Sequence, residues 1–258
     1  VQGQVYTGGL CAGLVALSPL GGTILALPLG LAAAALGGGL LGLAPGYAKA
    51  RFGADEMVST LMLNYVAIDV FTWLVRAHFA VEGEGLTFSP DFPPDSILPG
   101  IVPGTRIDAG ILLALAVSVG LWFILQRTAF GLRARLVGQN ARFAAYAGID
   151  AGSVVIAAMT LSGLIGGLLG GVFVQGRVFG KLAVGFEAGL SFEGIVIAIV
   201  AANRPLAVPI VALVYAYLRQ GAILMGYRTD VPAEVIGIVE GAVMLFSIVK
   251  LPSLGRRS

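Results

Sequence analysis

Between Ala109 and Leu125, and again between Ser153 and Gln175, the chain carries no charged side chain. A helix needs about 20 predominantly apolar residues to cross the hydrocarbon core of a bilayer. Comparable segments recur along the chain: Gly8 to Ser18 (stopped by Pro19), Thr23 to Leu43, Glu56 to Phe79, Leu206 to Met225 and Ala233 to Val249. One more, Ser191 to Ala202, is too short for a simple crossing. Hydrocarbon offers no partner to a free backbone N–H or C=O, so spanning segments of this kind must be helical. The expectation is an all-α, polytopic helical membrane protein with about 8 membrane segments, one of them broken or re-entrant. Residues 1–258 read as a single transmembrane domain.

Composition agrees. Hydrophobic residues make up 57% of the chain and charged residues only 12%, against about 25% charged in an average soluble domain. The net charge of +2 gives no footprint for nucleic acid. The single Cys11 excludes an internal disulfide and reads as a small packing residue. Val1 to Gln4 lacks the basic start of a signal peptide, and a further N-terminal part is expected ahead of it.

Lys and Arg set a direction. Lys49 and Arg51 share one loop, Arg127, Arg133, Arg135 and Arg142 a second, and Lys250, Arg256 and Arg257 close the chain. Even numbers of segments separate these clusters, which places all three, and the C-terminus, on the cytoplasmic side. The opposite side receives the Pro-rich acidic loop with Glu82, Glu84, Asp91, Asp95 and Asp108, together with Arg177 and Lys181. Small residues repeat at every fourth position in Gly38, Gly42, Gly46 and in Gly163, Gly167, Gly171. That spacing lets helix backbones approach closely, within one subunit or across a dimer.

Catalytic and metal signatures are missing from the sequence: no HExxH, no GxSxG and no CxxC pair. Gly176-Arg-Val-Phe-Gly180-Lys181 imitates part of a phosphate loop but joins membrane helices, and Gln175 and Leu182 break the pattern. His78 stands alone near an outer helix end. Polar residues inside spans are the better guide, because they are costly in lipid and face cavities or partners. Asn64, Asp69, Gln175, Glu193 and Glu240 are of this kind. Glu193 opens the short segment, and discontinuous helices at membrane depth often mark a substrate site. Phe173, Phe186 and Phe192 could offer an apolar face to a ring.

The stretch from Arg127 to Asp150 is the most organised element outside the spans. Gly131 and Gly138 are expected to punctuate short helical pieces. Asn140 is a candidate N-cap for a helix over Ala141 to Ala147, and Gly148 a candidate C-cap. A basic helix resting on anionic lipid and a docking helix for a cytoplasmic partner both fit.

Three stretches resemble the permeases of ABC importers for nucleosides and simple sugars, in the branched-chain amino acid/ribose-type superfamily. They are Gly46-Tyr-Ala-Lys-Ala-Arg-Phe-Gly-Ala-Asp-Glu-Met-Val-Ser-Thr-Leu-Met-Leu-Asn64-Tyr65, Leu132-Arg-Ala-Arg-Leu-Val-Gly-Gln-Asn140 with Ala144-Ala-Tyr-Ala-Gly-Ile149, and Phe192-Glu-Gly-Ile-Val-Ile-Ala198 followed by Asn203-Arg-Pro-Leu206. Two departures stand out. Gln2 occupies a position where the family usually has Glu, and Phe192-Glu193-Gly194 replaces Phe-Asp-Gly, which lengthens the carboxylate arm by one methylene.

The resemblance implies a multi-pass permease in a bacterial or archaeal plasma membrane, with no covalent chemistry of its own. It implies a second permease subunit, an ABC ATPase that holds ATP and Mg²⁺, an extracytoplasmic substrate-binding protein and surrounding lipid. This chain itself would carry no cofactor. It further implies that Asn64, Tyr65, Phe173, Gln175, Phe192 and Glu193 meet the solute. Residues 127–150 would then be the coupling region, with Arg133, Arg135, Asn140, Arg142, Phe143 and Tyr146 at the ATPase contact. Two other readings remain: a branched-chain amino acid ABC permease, and an ion-coupled carrier using Asp69, Glu193 or Glu240.

Overall fold

A computed structural model describes residues 2–79, 88–187 and 189–228. The expected last span, Ala233 to Val249, and Glu82, Glu84, Glu240, Lys250, Arg256 and Arg257 lie outside the described residues. The helices are α1 (Gln2–Leu17), α2 (Ala26–Phe52), α3 (Glu56–Leu74), α4 (Gly110–Arg127), α5 (Ala129–Gln139), α6 (Ala141–Tyr146), α7 (Ala151–Val174), α8 (Leu190–Val200) and α9 (Val208–Arg228). A π-helical turn, Val75–Phe79, extends α3. Four are long and apolar enough to cross a membrane: α2, α3 with its π turn, α4 and α7. The all-α, multi-span expectation holds, with four such spans among the described residues. Two compact units form, Val1–Val117 with Phe123–Ala188, and Ser118–Trp122 with Gly189–Ser258.

In the first unit the glycine repeats explain the packing. A Cβ on Gly38 would lie 2.4 Å from the Gly163 carbonyl oxygen, and one on Gly167 2.1 Å from that of Ala34. One on Gly42 would lie 2.6 Å from the Met159 carbonyl. The two stripes therefore face each other inside one chain, with α2 and α7 antiparallel and their backbones touching. α1 runs parallel to α7, Gly8 meeting Gly167 and Ala12 meeting Gly171. Of the two expected uses of these stripes, packing within the subunit is the one observed.

Local signals set the helix ends. Asp55 accepts from the N–H groups of Met57 and Val58 at the start of α3, and Asp150 from Gly152 and Ser153 at the start of α7. Each satisfies donors that a first turn leaves free. Gly53, at φ 67°, closes α2 in the left-handed conformation, and the Lys49–Glu56 ion pair ties the ends of α2 and α3 together. α2 continues through Pro45 to Phe52, nine residues past the expected end at Leu43. The neighbouring turns hold it there, as membrane helices tolerate an internal Pro.

On the far side of α7 the chain re-enters the unit. Leu182 packs against Gly13, Phe186 against Gly9, and Glu187 accepts a hydrogen bond from Gln2 Nε2 at 2.6 Å. Each contact lies further back toward the start of α1, so the loop descends along that helix. Tyr6, Phe71 and Phe186 cluster with ring centroids 4.9–5.6 Å apart, Tyr6 edge to face with each of the two Phe rings. Phe186, an expected ring-stacking residue, is thus a core residue at 4% exposure. The loop is held from above through Ser89, which pairs with both backbone groups of Leu182, and Phe92, whose N–H donates to the Gly180 carbonyl.

Candidate functional site

The candidate solute residues fall into two groups. On α3, Asn64 turns inward, its Oδ1 accepting from the Gly3 N–H at 2.8 Å. Its neighbour Tyr65 points the other way and is 66% exposed. Asn64 also borders a void of ≈ 10 Å³ with Gln4, Leu41, Pro45 and Thr60, room for about one water. Gln4 Oε1 is buried there with no hydrogen-bond partner among the described residues, and Pro45 cannot donate to the carbonyl four residues back.

Gln175 caps α7 and is fully buried, its amide pressed against Gly30 of α2. Neither Nε2 nor Oε1 has a partner among the described residues. Unpaired buried groups each cost about 1–3 kcal/mol, so packing alone does not account for a Gln here. Phe173 packs at a tilt against Phe179, centroids 6.3 Å apart, at the edge of the aromatic core.

In the second unit, α8 starts at Gly189, φ 86°. Phe192 in its first turn is 58% exposed. Glu193 is nearly buried, its side chain 14% exposed, and forms an ion pair with Arg219 of α9 at 2.8 Å. The structure thus brings Asn64 and Tyr65 onto one helix, on opposite faces, and Phe192 and Glu193 onto another. Sequence reading passed over Glu187, a carboxylate at 1% exposure bonded to Gln2. The signal lay in Gly185-Phe-Glu187-Ala-Gly189, an acid in an otherwise apolar stretch, and in the Gln at position 2.

The cytoplasmic elbow is two helices. Thr128 ends α4 and caps α5 by accepting from Gly131 N–H. α5 runs unbroken to Gln139, because Gly138 stays helical and Gly131 sits in the first turn, packed on the Leu125 carbonyl; the expected breaks are absent. Asn140 Oδ1 accepts from the Phe143 N–H at 3.1 Å and caps α6. Gly148, at φ 75°, ends the turn, with Ile149 N–H returning to the Ala144 carbonyl. Ala144 packs inward at 0% exposure, while Phe143 at 59% and Tyr146 at 92% face out. Arg133 and Arg142 are exposed, and Arg135 reaches back to Gln126 at 2.8 Å.

Residues 1–248 match the family described as branched-chain amino acid transport system / permease component. The chain belongs to this family. It is 31% identical over 248 residues to the guanosine ABC transporter permease protein NupP of Bacillus subtilis, covering 95% of this chain and 71% of that one. It is 27% identical to the glucose ABC transporter permease protein TsgB13 of Haloferax volcanii, over 96% of this chain and 67% of that one. The nucleoside ABC transporter permease protein NupB of Lactococcus lactis is 25% identical, over 97% and 71%. No solved structure matches. The chain is therefore an ABC transporter permease subunit, a multi-pass membrane transport protein.

Proposed function

We propose that this permease imports nucleosides or simple sugars, as one of two membrane subunits that enclose a path. An extracytoplasmic binding protein delivers the solute, and an ABC ATPase carrying ATP and Mg²⁺ drives the cycle from the cytoplasm. The observation that carries this reading is the elbow of α5 and α6. A six-residue helix capped at both ends, with Phe143 and Tyr146 turned outward beside Arg142, is built to be gripped by another protein. A carrier driven by an ion gradient needs no such grip, and its Glu193 would need to be free for a cation rather than paired with Arg219. Names of similar proteins favour nucleosides and sugars over amino acids.

In this scheme the permease has two access states whose balance its partners shift. Closure of the ATPase moves Arg133, Arg135, Asn140, Arg142, Phe143 and Tyr146, and through them α4 and α7. Asn64, Gln175 and Glu193 exchange hydrogen bonds with hydroxyls or base edges, and Tyr65, Phe173 and Phe192 supply apolar faces. The C-terminus lies in the cytoplasm. ATP-dependent uptake by the reconstituted importer, with a panel of nucleosides, sugars and branched-chain amino acids, tests the reading. Uptake of a nucleoside or sugar is expected; uptake of amino acids alone would overturn it. Glu193→Ala is expected to abolish most uptake, and unchanged transport would remove Glu193 from the site.

A further inference from the structure

The outward face of α3 carries groups that hydrocarbon does not accept. Ala67, Phe71 and Val75 are buried against the unit. Opposite them lie Tyr65, Asp69, Thr72, Trp73 and Arg76, spaced i, i+4, i+7, i+8 and i+11 on one helix face. Trp73 is 61% exposed, Asp69 and Arg76 are exposed, and Thr72 is half-exposed. Asp69, Thr72, Trp73 and Arg76 line an open cleft of ≈ 360 Å³ with Ala77. Neither Asp69 nor Arg76 has a hydrogen bond or ion pair among the described residues.

Depth makes this informative. Asp69 lies 13 residues after Glu56 (69 − 56) and ten before Phe79 (79 − 69) in a 24-residue span, so it sits about 20 Å along the helix, near the middle of a bilayer. A carboxylate there faces a water-filled cavity or a polar partner, not lipid. α4 shows what a lipid-compatible face looks like, since its exposed Ile111, Leu112, Leu115, Val119 and Phe123 are all apolar. Arg76, which lines this cleft, lies in the Val75–Phe79 π turn, in keeping with the frequent placement of π turns at functional sites.

We infer that this face of α3 is a solute-contacting wall of the transport path, and that the solute it fits is a nucleoside. The inference rests on the importer reading above. Asp69 accepts hydrogen bonds from ribose hydroxyls or ring N–H groups. Arg76, two turns on, donates to the carbonyl or ring-nitrogen acceptors of the base, a geometry that guanidinium matches well. Trp73 offers its ring for stacking. The two opposite charges suit a neutral solute; an ionic one would be repelled by one of them.

The test uses the whole importer in proteoliposomes, in a Cys11→Ser background with single cysteines at Thr72→Cys and, as the apolar control, Leu115→Cys. A charged, membrane-impermeant methanethiosulfonate is expected to label Thr72→Cys and leave Leu115→Cys unmodified. Guanosine is expected to slow the labelling several-fold and glucose to leave it unchanged. Asp69→Asn is expected to lower nucleoside uptake at least tenfold while Thr72→Cys, combined with it, stays reactive. If Thr72→Cys is as inert as Leu115→Cys in an importer that still moves nucleosides, the wall is covered by lipid or protein and the inference fails. Labelling slowed by glucose and not by guanosine overturns the solute class. An importer that moves neither nucleosides nor sugars sinks the functional reading, a result separate from the labelling of position 72.

Discussion

α7 and the α3 span have the same length, 24 residues, yet they do different work. α7 turns Gly163, Gly167, Gly170 and Gly171 into its neighbours and lets backbone meet backbone. α3 buries little more than Ala67 and Phe71 and keeps Tyr65, Asp69 and Trp73 on the outside. One helix spends its sequence on being held; the other presents chemistry. Hydropathy does not separate them, because Gly scores as membrane-compatible and the three charged side chains Glu56, Asp69 and Arg76 in 24 residues barely change an average. What separates them is the spacing of the exceptions. Small residues every fourth position predict a contact, and polar residues on one arc predict a surface that lipid does not cover.

The largest expected effect tests the first half of that contrast. Gly167→Leu places a side chain where even a Cβ would lie 2.1 Å from the Ala34 carbonyl oxygen. Backbone cannot yield cheaply, and overpacking of this kind costs about 3 kcal/mol. Loss of folded permease from detergent extracts, judged by size-exclusion chromatography, is the expected result. A monodisperse Gly167→Leu protein would show that α2 and α7 can separate, and would make the glycine stripe dispensable. The matching change on α3, Tyr65→Ala, removes an exposed ring and no packing. It is expected to leave the same chromatogram intact and to lower uptake several-fold. If instead it disrupts assembly, the outward face of α3 is a subunit contact.

Much of this contrast was legible beforehand. The glycine stripes, the caps at Asn140 and Gly148, and the short α8 follow from local rules of spacing and conformation, which sequence carries directly. The two ends of the Gln2–Glu187 bond are 185 residues apart, and no local pattern pairs them. The same holds for Phe186: its place in the aromatic core depends on a loop that turns back along α1. Asp69 was visible as a polar residue inside a span, but its role depends on which side of α3 faces the unit. Only the burial of Ala67 and Phe71 decides that. Sequence could name Glu193 as exceptional without showing that Arg219 holds it.

Gln175 lies where the two kinds of helix surface meet in one residue. It sits at the end of the packing helix, fully buried, yet carries two polar atoms with no partner among the described residues. Gln175→Leu replaces them with a side chain of similar size, so stability is expected to rise by about 1–3 kcal/mol while uptake falls. A thermal shift assay and transport measured on the same preparation separate the outcomes. Greater stability with unchanged uptake would make Gln175 a packing residue and remove it from the solute site.

The smallest effect concerns the start of α7. Hydrogen bonds from the Gly152 and Ser153 N–H groups, with the Ser153 side chain beside them, hold the Asp150 carboxyl below its usual pKa. A lowered folded pKa means that the ionised cap stabilises the native state above the ordinary carboxylate value. That contribution is lost as pH falls through the lowered one. Asp150→Ala should therefore unfold at a slightly lower temperature than the parent at neutral pH, with the gap closing in acid. Asp150→Asn keeps an oxygen for the cap and should recover much of the neutral-pH stability without the acid dependence. A gap that persists unchanged into acid would mean that the carboxylate's charge contributes nothing. The cap would then hold this end of α7 as an uncharged hydrogen-bond acceptor, while the glycine stripes fix the middle.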